Sequence, residues 1–271
     1  MARAIPSSGE RLPVIGLGTA SNYDRDDPAE RSALGDILRL LAAGGGSLVD
    51  TASSYGAAES MLGAALAETG LRPRIFIATK LEEDELTMPG LRASQRRLGS
   101  DKIDLMQLHN VSRRGQSLAP LREWKAQRLI RYFGITTSDD RDFAAVESEL
   151  QREKPDFLQV NYSLSDREAE KRLLPAAAEI GVAVLTDLPF GRGQVFRAVR
   201  GKTVPDWAQE FDAATWGQFF LKYLLADPRV TAVIPGTDKP QNMADNLGAG
   251  RGRLPDAAQR RHMAQFFDAL G

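Results

Sequence analysis

Three stretches of the sequence decide the fold: SLVDTASSY (47–55), RIFIATK (74–80) and DLMQLHN (104–110). Each is a short, mostly apolar segment with the composition of a β-strand, and each ends in reactive side chains. Segments between such strands, for example AESMLGAALAET, have helical composition, and the strand-like segments start about 25 to 30 residues apart. Alternating β and α units of this kind predict a parallel sheet.

Five further segments bring the total to eight: VIGLG (14–18), RYFGITT (131–137), FLQVNYS (157–163), VAVLTDLP (182–189) and VTAVIPG (230–236). Runs such as FIAT and VAVL are almost continuously apolar, which is typical of strands covered on both faces. Eight units favour closure into a (β/α)8 TIM barrel, which often fills a chain of this length as one domain. We therefore predict a single α/β barrel domain over residues 1–271, with a short N-terminal β-hairpin.

An open, doubly wound sheet with a dinucleotide fingerprint is the alternative fold. The glycines of GLG (16–18) could begin such a fingerprint, but Ser21 stands where its third glycine is required. A tight turn at a strand end is the preferred interpretation of these glycines. Between the last two strands the chain is longer, and PDWAQEF (205–211) predicts a short extra helix there.

The composition excludes several classes of function. With 35 Lys and Arg against 36 Asp and Glu, the formal net charge is −1, so no overall field would attract nucleic acid or an anionic membrane. The absence of cysteine excludes disulfides and thiolate zinc sites, and we predict no metal centre. MARAIPSSGE lacks the apolar core of a signal peptide, and no apolar run approaches the roughly 18 residues of a membrane span. We expect a cytoplasmic protein, while a removed export leader would leave no trace.

Asp50, Tyr55, Lys80 and His109 lie at or just beyond strand ends, and the carboxyl ends of barrel strands share one face. A tyrosine with a pKa near ~10 needs about 3 kcal/mol of bias to form a usable phenolate near neutral pH. An ammonium about 4 Å away supplies roughly 4 kcal/mol at an effective dielectric of about 20. Lys80 is the candidate cation and Asp50 its positioning partner. A neutral His109 would hydrogen-bond a substrate carbonyl or relay the proton.

Each of these residues also has a simpler interpretation. Asp50 could cap a turn, Lys80 could be a solvated strand end, and His109 could be a satisfied core residue. A desolvated lysine at a strand end could also form a Schiff base, so an aldolase that uses Lys80 is a second hypothesis. The other histidine, His262, lies in a helical stretch and is predicted to be on the surface.

Six motifs extend over nearly the whole chain: VIGLGT (14–19), DTASSYGAAESMLGAAL (50–66), IATK (77–80), QLHN (107–110), QVNYS (159–163) and IPGTDKPQNMADN (234–246). In combination they resemble the aldo-keto reductases. The resemblance implies a (β/α)8 barrel that binds NADPH, with NADH possible, and that reversibly reduces a small aldehyde or ketone to an alcohol. It implies that Tyr55 is the general acid and that Lys80 lowers its pKa. Asp50 would hold Lys80, His109 would orient the carbonyl, and the protein would be a monomer.

By the same resemblance, the cofactor contacts lie in the strand-end loops. The implied positions are Gly18, Thr19, Asp50, Asn110, Thr136, Thr137, Gln159, Pro189, Phe190, Gly191, Arg192, Gly193, Pro235, Gly236, Thr237, Lys239, Asp245 and Asn246. Gln159 is the expected partner of the nicotinamide carboxamide. Thr237 and Lys239 are the expected partners of the cofactor 2′-phosphate, and the loop from Phe190 to Gly193 is expected to cover the pyrophosphate.

Three positions depart from the family pattern. Thr137 stands where an asparagine is usual, Asp187 where a tyrosine stacks on the nicotinamide ring, and Asn242 where an arginine is common. An aspartate cannot stack, so a neighbour such as Phe190 would have to supply that contact. Because the carboxamide site is altered, a regulatory subunit that binds the cofactor with little turnover is a third hypothesis.

The substrate site is the least defined part of the sequence. The segment after the last motif, residues 248–271, is short and helix-like, which predicts an open site with broad tolerance. Leu81, Trp124 and Trp207 are the candidate residues to line it.

Overall fold

The protein is described by a computed structural model that covers residues 1–112 and 114–270. It begins with the predicted hairpin, formed by β1 (Ala2–Ala4) and β2 (Arg11–Pro13). Eight parallel strands follow: β3 (Leu17–Gly18), β4 (Leu48–Asp50), β5 (Phe76–Leu81), β6 (Ile103–Leu108), β7 (Ile130–Thr137), β8 (Phe157–Asn161), β9 (Ala183–Asp187) and β10 (Ala232–Val233). Each strand pairs with the next one along the chain, and parallel bridges from Ile15 to Val233 and from Gly18 to Gly236 join the first strand to the last. The predicted (β/α)8 barrel is confirmed.

Helices on the outside connect the strands: α1 (Pro28–Ala43), α2 (Ala58–Thr69), α3 (Met88–Arg97), α4 (Ala119–Ala126), α5 (Phe143–Glu153), α6 (Glu168–Lys171), α7 (Leu173–Glu179), α8 (Gln194–Ala198), α9 (Trp216–Leu225), α10 (Pro240–Ala249) and α11 (Ala257–Asp268). The extra helix predicted between the last two strands is a 3₁₀ helix over Asp206–Phe211. Within the described residues, the helices are too short or too polar to cross a membrane.

The strands separate two apolar cores. The larger one lies between the sheet and the helices, and the smaller one fills the barrel interior at the amino ends of the strands. The hairpin closes this lower end, because Ile5 and Leu12 belong to the interior core. Phe76, Tyr132 and Phe157 pack around each other there, with ring centroids 5.6 to 6.1 Å apart. Burying aromatic side chains of this size stabilises a fold by about 1.5–3 kcal/mol each.

The residues that point into the barrel change from apolar to polar along the strands. Side chains alternate between the two faces, so every second residue points into the barrel. On β5, Phe76 and Ala78 lie in the interior core, and the next inward residue is Lys80; on β8, Phe157 is followed by Gln159. The inner surface is therefore apolar at the amino ends and polar at the carboxyl ends, which brings the reactive side chains to one face of the barrel.

Candidate active site

A buried ion pair between Lys80 and Asp50 lies at the carboxyl ends of β5 and β4. Nζ of Lys80 donates to Oδ2 of Asp50 at 2.6 Å and to the backbone oxygen of Thr51 at 2.8 Å. The two side chains are only 1% and 4% exposed. Burial is the strongest influence on Lys80 and lowers its pKa, but the interactions with Asp50 and Tyr55 outweigh it, and the pKa is raised overall. Lys80 is therefore an ammonium at neutral pH.

Tyr55 lies in the loop between β4 and α2 and faces this pair. Nζ of Lys80 is 5.0 Å from the centroid of the phenol ring, within the range of a cation–π contact. The turn that presents the ring depends on the next residue, Gly56, whose φ is 58°. A Cβ atom at Gly56 would lie 2.3 Å from the backbone oxygen of Asp24, so a larger residue would displace the loop.

Lys80 lowers the pKa of Tyr55 as predicted, but the expected net lowering of that pKa is not found. Burial raises the pKa most strongly; Lys80 lowers it, but the carboxyl groups of Asp50 and Asp187 raise it again, and the overall direction is upward. Lys80 acts in the predicted direction, yet one ammonium does not offset desolvation together with two acidic neighbours. Tyr55 is consequently a protonated phenol at neutral pH, which suits it to donate a proton rather than to accept one.

His109 follows β6 and stands edge-on to Tyr55, with ring centroids 5.7 Å apart. Its Nδ1 is 2.6 Å from Oε1 of Glu82 and 3.2 Å from Oγ of Ser54. An ionised carboxylate can only accept, so Nδ1 donates to Glu82 and the neutral ring has a lone pair on Nε2. In this tautomer Nε2 donates to a carbonyl only when the ring is an imidazolium, and the contact between a neutral His109 and a carbonyl stays a prediction.

The charge of His109 depends on opposing neighbours. Burial lowers its pKa most strongly and Lys80 lowers it further, whereas the carboxylate of Glu82 raises it, and the overall direction is downward. We expect Glu82→Gln to lower the pKa of His109 further, because the variant loses the largest of the interactions that favour the imidazolium. NMR titration measures this directly, since the chain has two histidines and His262→Gln assigns the second signal. An unchanged midpoint in Glu82→Gln would contradict the pairing.

A chain of polar side chains continues from the ion pair across the barrel. Nε2 of Gln107 donates to Oε1 of Gln159 at 2.9 Å, and Nε2 of Gln159 donates to Oδ2 of Asp187 at 3.3 Å. Burial raises the pKa of Asp187 to about 7, although Lys80 and the bond from Gln159 oppose this. The amide of Gln159 also interacts with Asp50, and its carbonyl oxygen keeps one lone pair for a ligand.

These groups open into one cavity of about 670 Å³ at the carboxyl face of the barrel. Its lining joins the catalytic candidates to the loops after β3, β6, β7, β9 and β10. The lining residues are Gly18, Ala20, Ser21, Asn22, Asp50, Tyr55, His109, Asn110, Ser138, Gln159, Asp187, Leu188, Pro189, Phe190, Arg192, Gly193, Ile234 and Gly236. Among the described residues there is no cluster of acids and histidines that could hold a metal ion.

A sequence model of the Aldo/keto reductase family matches residues 14–261. The chain belongs to the aldo-keto reductase family. Its members are oxidoreductases that act on carbonyl and alcohol groups with a nicotinamide cofactor. Among curated relatives, the aldo-keto reductase yakc of Schizosaccharomyces pombe, named for NADP(+), is 27% identical and covers 92% of this chain and 86% of its own. Methylglyoxal reductase YeaE of Escherichia coli is 30% identical over 70% of this chain and 69% of its own.

Solved structures of aldo-keto reductases share the fold. An aldo/keto reductase from Klebsiella pneumoniae, in complex with NADP and acetate, superimposes with a TM-score of 0.80 at 23% identity, covering 97% of this chain and 94% of that one. The thermostable aldo-keto reductase Tm1743, in complex with the inhibitor epalrestat, has a TM-score of 0.78 at 25% identity over 100% of both chains.

In this aldo-keto reductase, three of the four catalytic candidates line the cavity, and Lys80 lies directly behind them with 1% exposure. The cofactor candidates divide into two groups. Those on the cavity wall are Gly18, Asp50, Asn110, Gln159, Pro189, Phe190, Arg192, Gly193 and Gly236. Those outside that lining are Thr19, Thr136, Thr137, Gly191, Pro235, Thr237, Lys239, Asp245 and Asn246.

Several residues of the second group bond within the protein. Oγ1 of Thr136 accepts from the backbone N–H of Asn110 at 2.9 Å, and Oγ1 of Thr19 donates to the backbone oxygen of Asp50 at 3.0 Å. Asp245 accepts from Thr215 and Gln218. These hydrogen bonds hold the loops around the cavity in place. They also leave the side chains of these residues with fewer donors and acceptors for a ligand.

The three residues suggested for the substrate site lie elsewhere. Leu81 and Trp124 are buried in the outer core, 0% and 2% exposed. Trp207 stacks on His262 with ring centroids 4.4 Å apart, and His262 is exposed on α11 as predicted. Leu81 could have been excluded from the sequence, because it follows the inward-facing Lys80 and must point outward.

Sequence reasoning also missed contributors to the site. Ser21 and Asn22 line the cavity from the loop after β3, where their position just past a strand end was an available signal. Glu82 lies two residues after Lys80, in the acidic run EEDE (82–85). Its contact with His109 joins two strand ends, and only the barrel geometry reveals it.

Proposed function

We propose that the protein reduces aldehydes or ketones to alcohols with NADPH, reversibly, and that Tyr55 is the proton donor. The observation that carries the proposal is the grouping of Tyr55, His109 and the Lys80–Asp50 pair at one wall of a single cavity. A phenol beside a buried ammonium is a donor placed where negative charge on a carbonyl oxygen would develop.

The cavity fits a dinucleotide. Glycines bring the backbone of the first and last strands together, since a Cβ at Gly18 would lie 2.8 Å from the backbone oxygen of Ile234. Gly191–Gly193 forms a tight turn in which Arg192 has a φ of 52°, leaving a cation beside the cavity. Gln159 lines the cavity, and its carbonyl oxygen keeps one lone pair for a carboxamide N–H. The arginine and the open backbone suit a pyrophosphate.

Proton transfer follows from the site electrostatics. When bound, the reduced nicotinamide supplies a hydride to the carbonyl carbon. Tyr55 then gives its proton to the developing alkoxide, which is far more basic than a phenolate, so a raised tyrosine pKa does not prevent reduction. Lys80 stabilises the phenolate left behind, and Asp50 keeps Lys80 charged and in place. His109 adds a second donor in its imidazolium form, which favours reduction at acidic pH.

Alcohol oxidation requires the opposite protonation state of Tyr55. It needs the phenolate as a base, and burial raises the pKa of Tyr55 above its ordinary value. The reverse reaction should therefore be slow at neutral pH and accelerate as the pH rises.

The aldolase alternative is not favoured by the state of Lys80. A Schiff base requires a neutral amine, whereas the pKa of Lys80 is raised overall and its N–H groups are engaged by Asp50 and Thr51. The regulatory-subunit alternative predicts tight NADPH binding with negligible turnover.

One assay separates these functions. Purified protein is mixed with NADPH and a carbonyl panel that includes methylglyoxal, because an E. coli methylglyoxal reductase is among the relatives. We expect loss of NADPH in proportion to alcohol formed. NADPH binding without turnover on any substrate would instead support the regulatory role, and trapping of substrate on Lys80 by borohydride would support the aldolase.

Preference for NADPH over NADH is proposed to rest on Lys239. This residue is exposed at the start of α10, where the helix dipole also favours an anion, and its backbone N–H donates to Oγ1 of Thr237 at 3.1 Å. We expect Lys239→Ala to raise the Kd for NADPH roughly tenfold and to leave NADH binding unchanged. Calorimetric titration checks this, with Lys102→Ala, another exposed lysine, as the control. Equal losses for both cofactors would contradict the assignment.

A further inference from the structure

Asp187 is a carboxyl group that the proposed reaction does not use. It ends β9, pairs in register with Asn161 of β8, and lines the same cavity as Tyr55 and Gln159. The next residue, Leu188, has a φ of 45°, a left-handed conformation that is uncommon outside glycine. Strained backbone of this kind persists where the surrounding structure enforces it, frequently at ligand sites.

The bonding of Asp187 is incomplete. Oδ2 accepts one long bond of 3.3 Å from Gln159, and Oδ1 is buried with no hydrogen-bond partner among residues 1–112 and 114–270. A buried carboxylate normally has its oxygens satisfied or paired. Lys80 could neutralise it, but Asp50 already takes the close contact with that ammonium at 2.6 Å.

The ionisable groups that face Asp187 come from several elements. Lys80 of β5 and Arg192 of the loop after β9 favour its charged form, whereas Asp50 of β4 disfavours it, and Tyr55 interacts with it from the loop after β4. β8 contributes the neutral amide of Gln159, and the loop after β10 contributes the apolar Ile234. Burial is the largest influence and raises the pKa of Asp187 to about 7, so the group changes charge close to neutral pH.

We propose that the carboxylate of Asp187 attracts the nicotinamide ring when the ring is positively charged. The preference for oxidised over reduced cofactor then depends on whether Asp187 is ionised. The inference rests on the proposed function, which requires the ring to reach a carbonyl beside Tyr55, in the cavity that Asp187 lines. The ring is a cation in NADP⁺ and neutral in NADPH. An ionised Asp187 therefore attracts the oxidised ring, and a protonated Asp187 does not distinguish the two forms.

The sign of the pH dependence follows from this linkage. As the pH rises through about 7, Asp187 loses its proton and NADP⁺ gains affinity relative to NADPH. Binding of NADP⁺ near neutral pH should therefore release protons from the protein, because the cationic ring favours the ionised form of Asp187. At low pH the site therefore loses its preference for NADP⁺. Carbonyl reduction also consumes a proton, so both effects act against the oxidised cofactor as the pH falls.

Calorimetric titration of the purified protein with NADP⁺ and with NADPH tests the proposal without turnover. The ratio of the two Kd values is used, because both cofactors carry the same phosphates and their own titration cancels. Between about pH 5.5 and about pH 8.5, the ratio of the NADPH Kd to the NADP⁺ Kd should rise roughly tenfold or more in the wild type. Asp187→Asn should make the ratio nearly independent of pH, and Asp187→Glu should restore the dependence.

His109 is the competing explanation, since its protonation would also disfavour the cationic ring at low pH. A pH dependence that persists in Asp187→Asn would assign the effect to His109 and overturn the proposal. Asp101→Asn, at an exposed acid outside the cavity, should behave as the wild type. If both cofactors bind to the wild type but the ratio of their Kd values does not change with pH, the role of Asp187 is overturned and the proposed function is not. Failure of both cofactors to bind at any pH would overturn the proposed function as well.

Discussion

Tyr55→Phe is expected to lower kcat for aldehyde reduction by roughly 10³-fold, within the range of about 10²–10⁴ typical of a lost general acid. The variant retains the ring that contacts Lys80 and removes only the hydroxyl that donates the proton. Binding of NADPH should be nearly unchanged, because none of the proposed cofactor contacts involves the phenol oxygen. Steady-state rates and a cofactor titration on the same preparation measure both quantities.

Tyr132→Phe is the matched control for this change. It also removes one phenol hydroxyl, but at the opposite end of the barrel, where Tyr132 bonds to Ser8 and Glu10. That variant should retain its turnover and lose only some stability. Wild-type turnover in Tyr55→Phe would remove Tyr55 from the mechanism and leave the cavity without its main proton donor.

Lys80→Met is expected to cost both activity and stability. It leaves Asp50 buried without its cation, and breaking a buried ion pair from one side typically destabilises a fold by about 3–5 kcal/mol. An isolated buried carboxyl group has a raised pKa, so the loss should be greatest at neutral and higher pH. It should shrink as the pH falls and Asp50 binds a proton. Urea unfolding at several pH values measures this loss.

The double variant Asp50→Asn/Lys80→Met separates the two effects. Removing the carboxylate as well relieves the unpaired charge, so part of the stability should return while turnover stays low. If Lys80→Met were as stable as the wild type at neutral pH, the pair would not be the buried interaction described. Recovery of full activity in the double variant would show that Lys80 does not support Tyr55.

The fold could be predicted because each strand can be recognised from its own stretch of sequence. Apolar composition, spacing and helical intervals locate the strands, and the two-residue alternation from Phe76 to Lys80 already indicates which end becomes polar. The reactive residues sit at strand ends, so the barrel topology brings them together without further information. This is why Asp50 could be assigned to Lys80 from sequence patterns alone.

Electrostatic balance could not be read from the sequence in the same way. The effect of Lys80 on Tyr55 was predicted with the correct sign, but the burial of the phenol and the approach of Asp187 depend on side chains from other strands. The same is true of Glu82, which sets the tautomer of His109 from a neighbouring loop. Local sequence identifies the reactive groups, and tertiary packing determines their protonation.

Transfer of deuterium from labelled cofactor tests the proposed reaction as a whole. The wild type is incubated with an aldehyde and NADPH that carries deuterium at both C4 positions, and the product alcohol is analysed by mass spectrometry and NMR. We expect one deuterium on the carbinol carbon for each NADPH consumed, with Tyr55→Phe forming the same product far more slowly. An alcohol without deuterium, or no consumption of NADPH with any carbonyl, would contradict direct hydride transfer at this site.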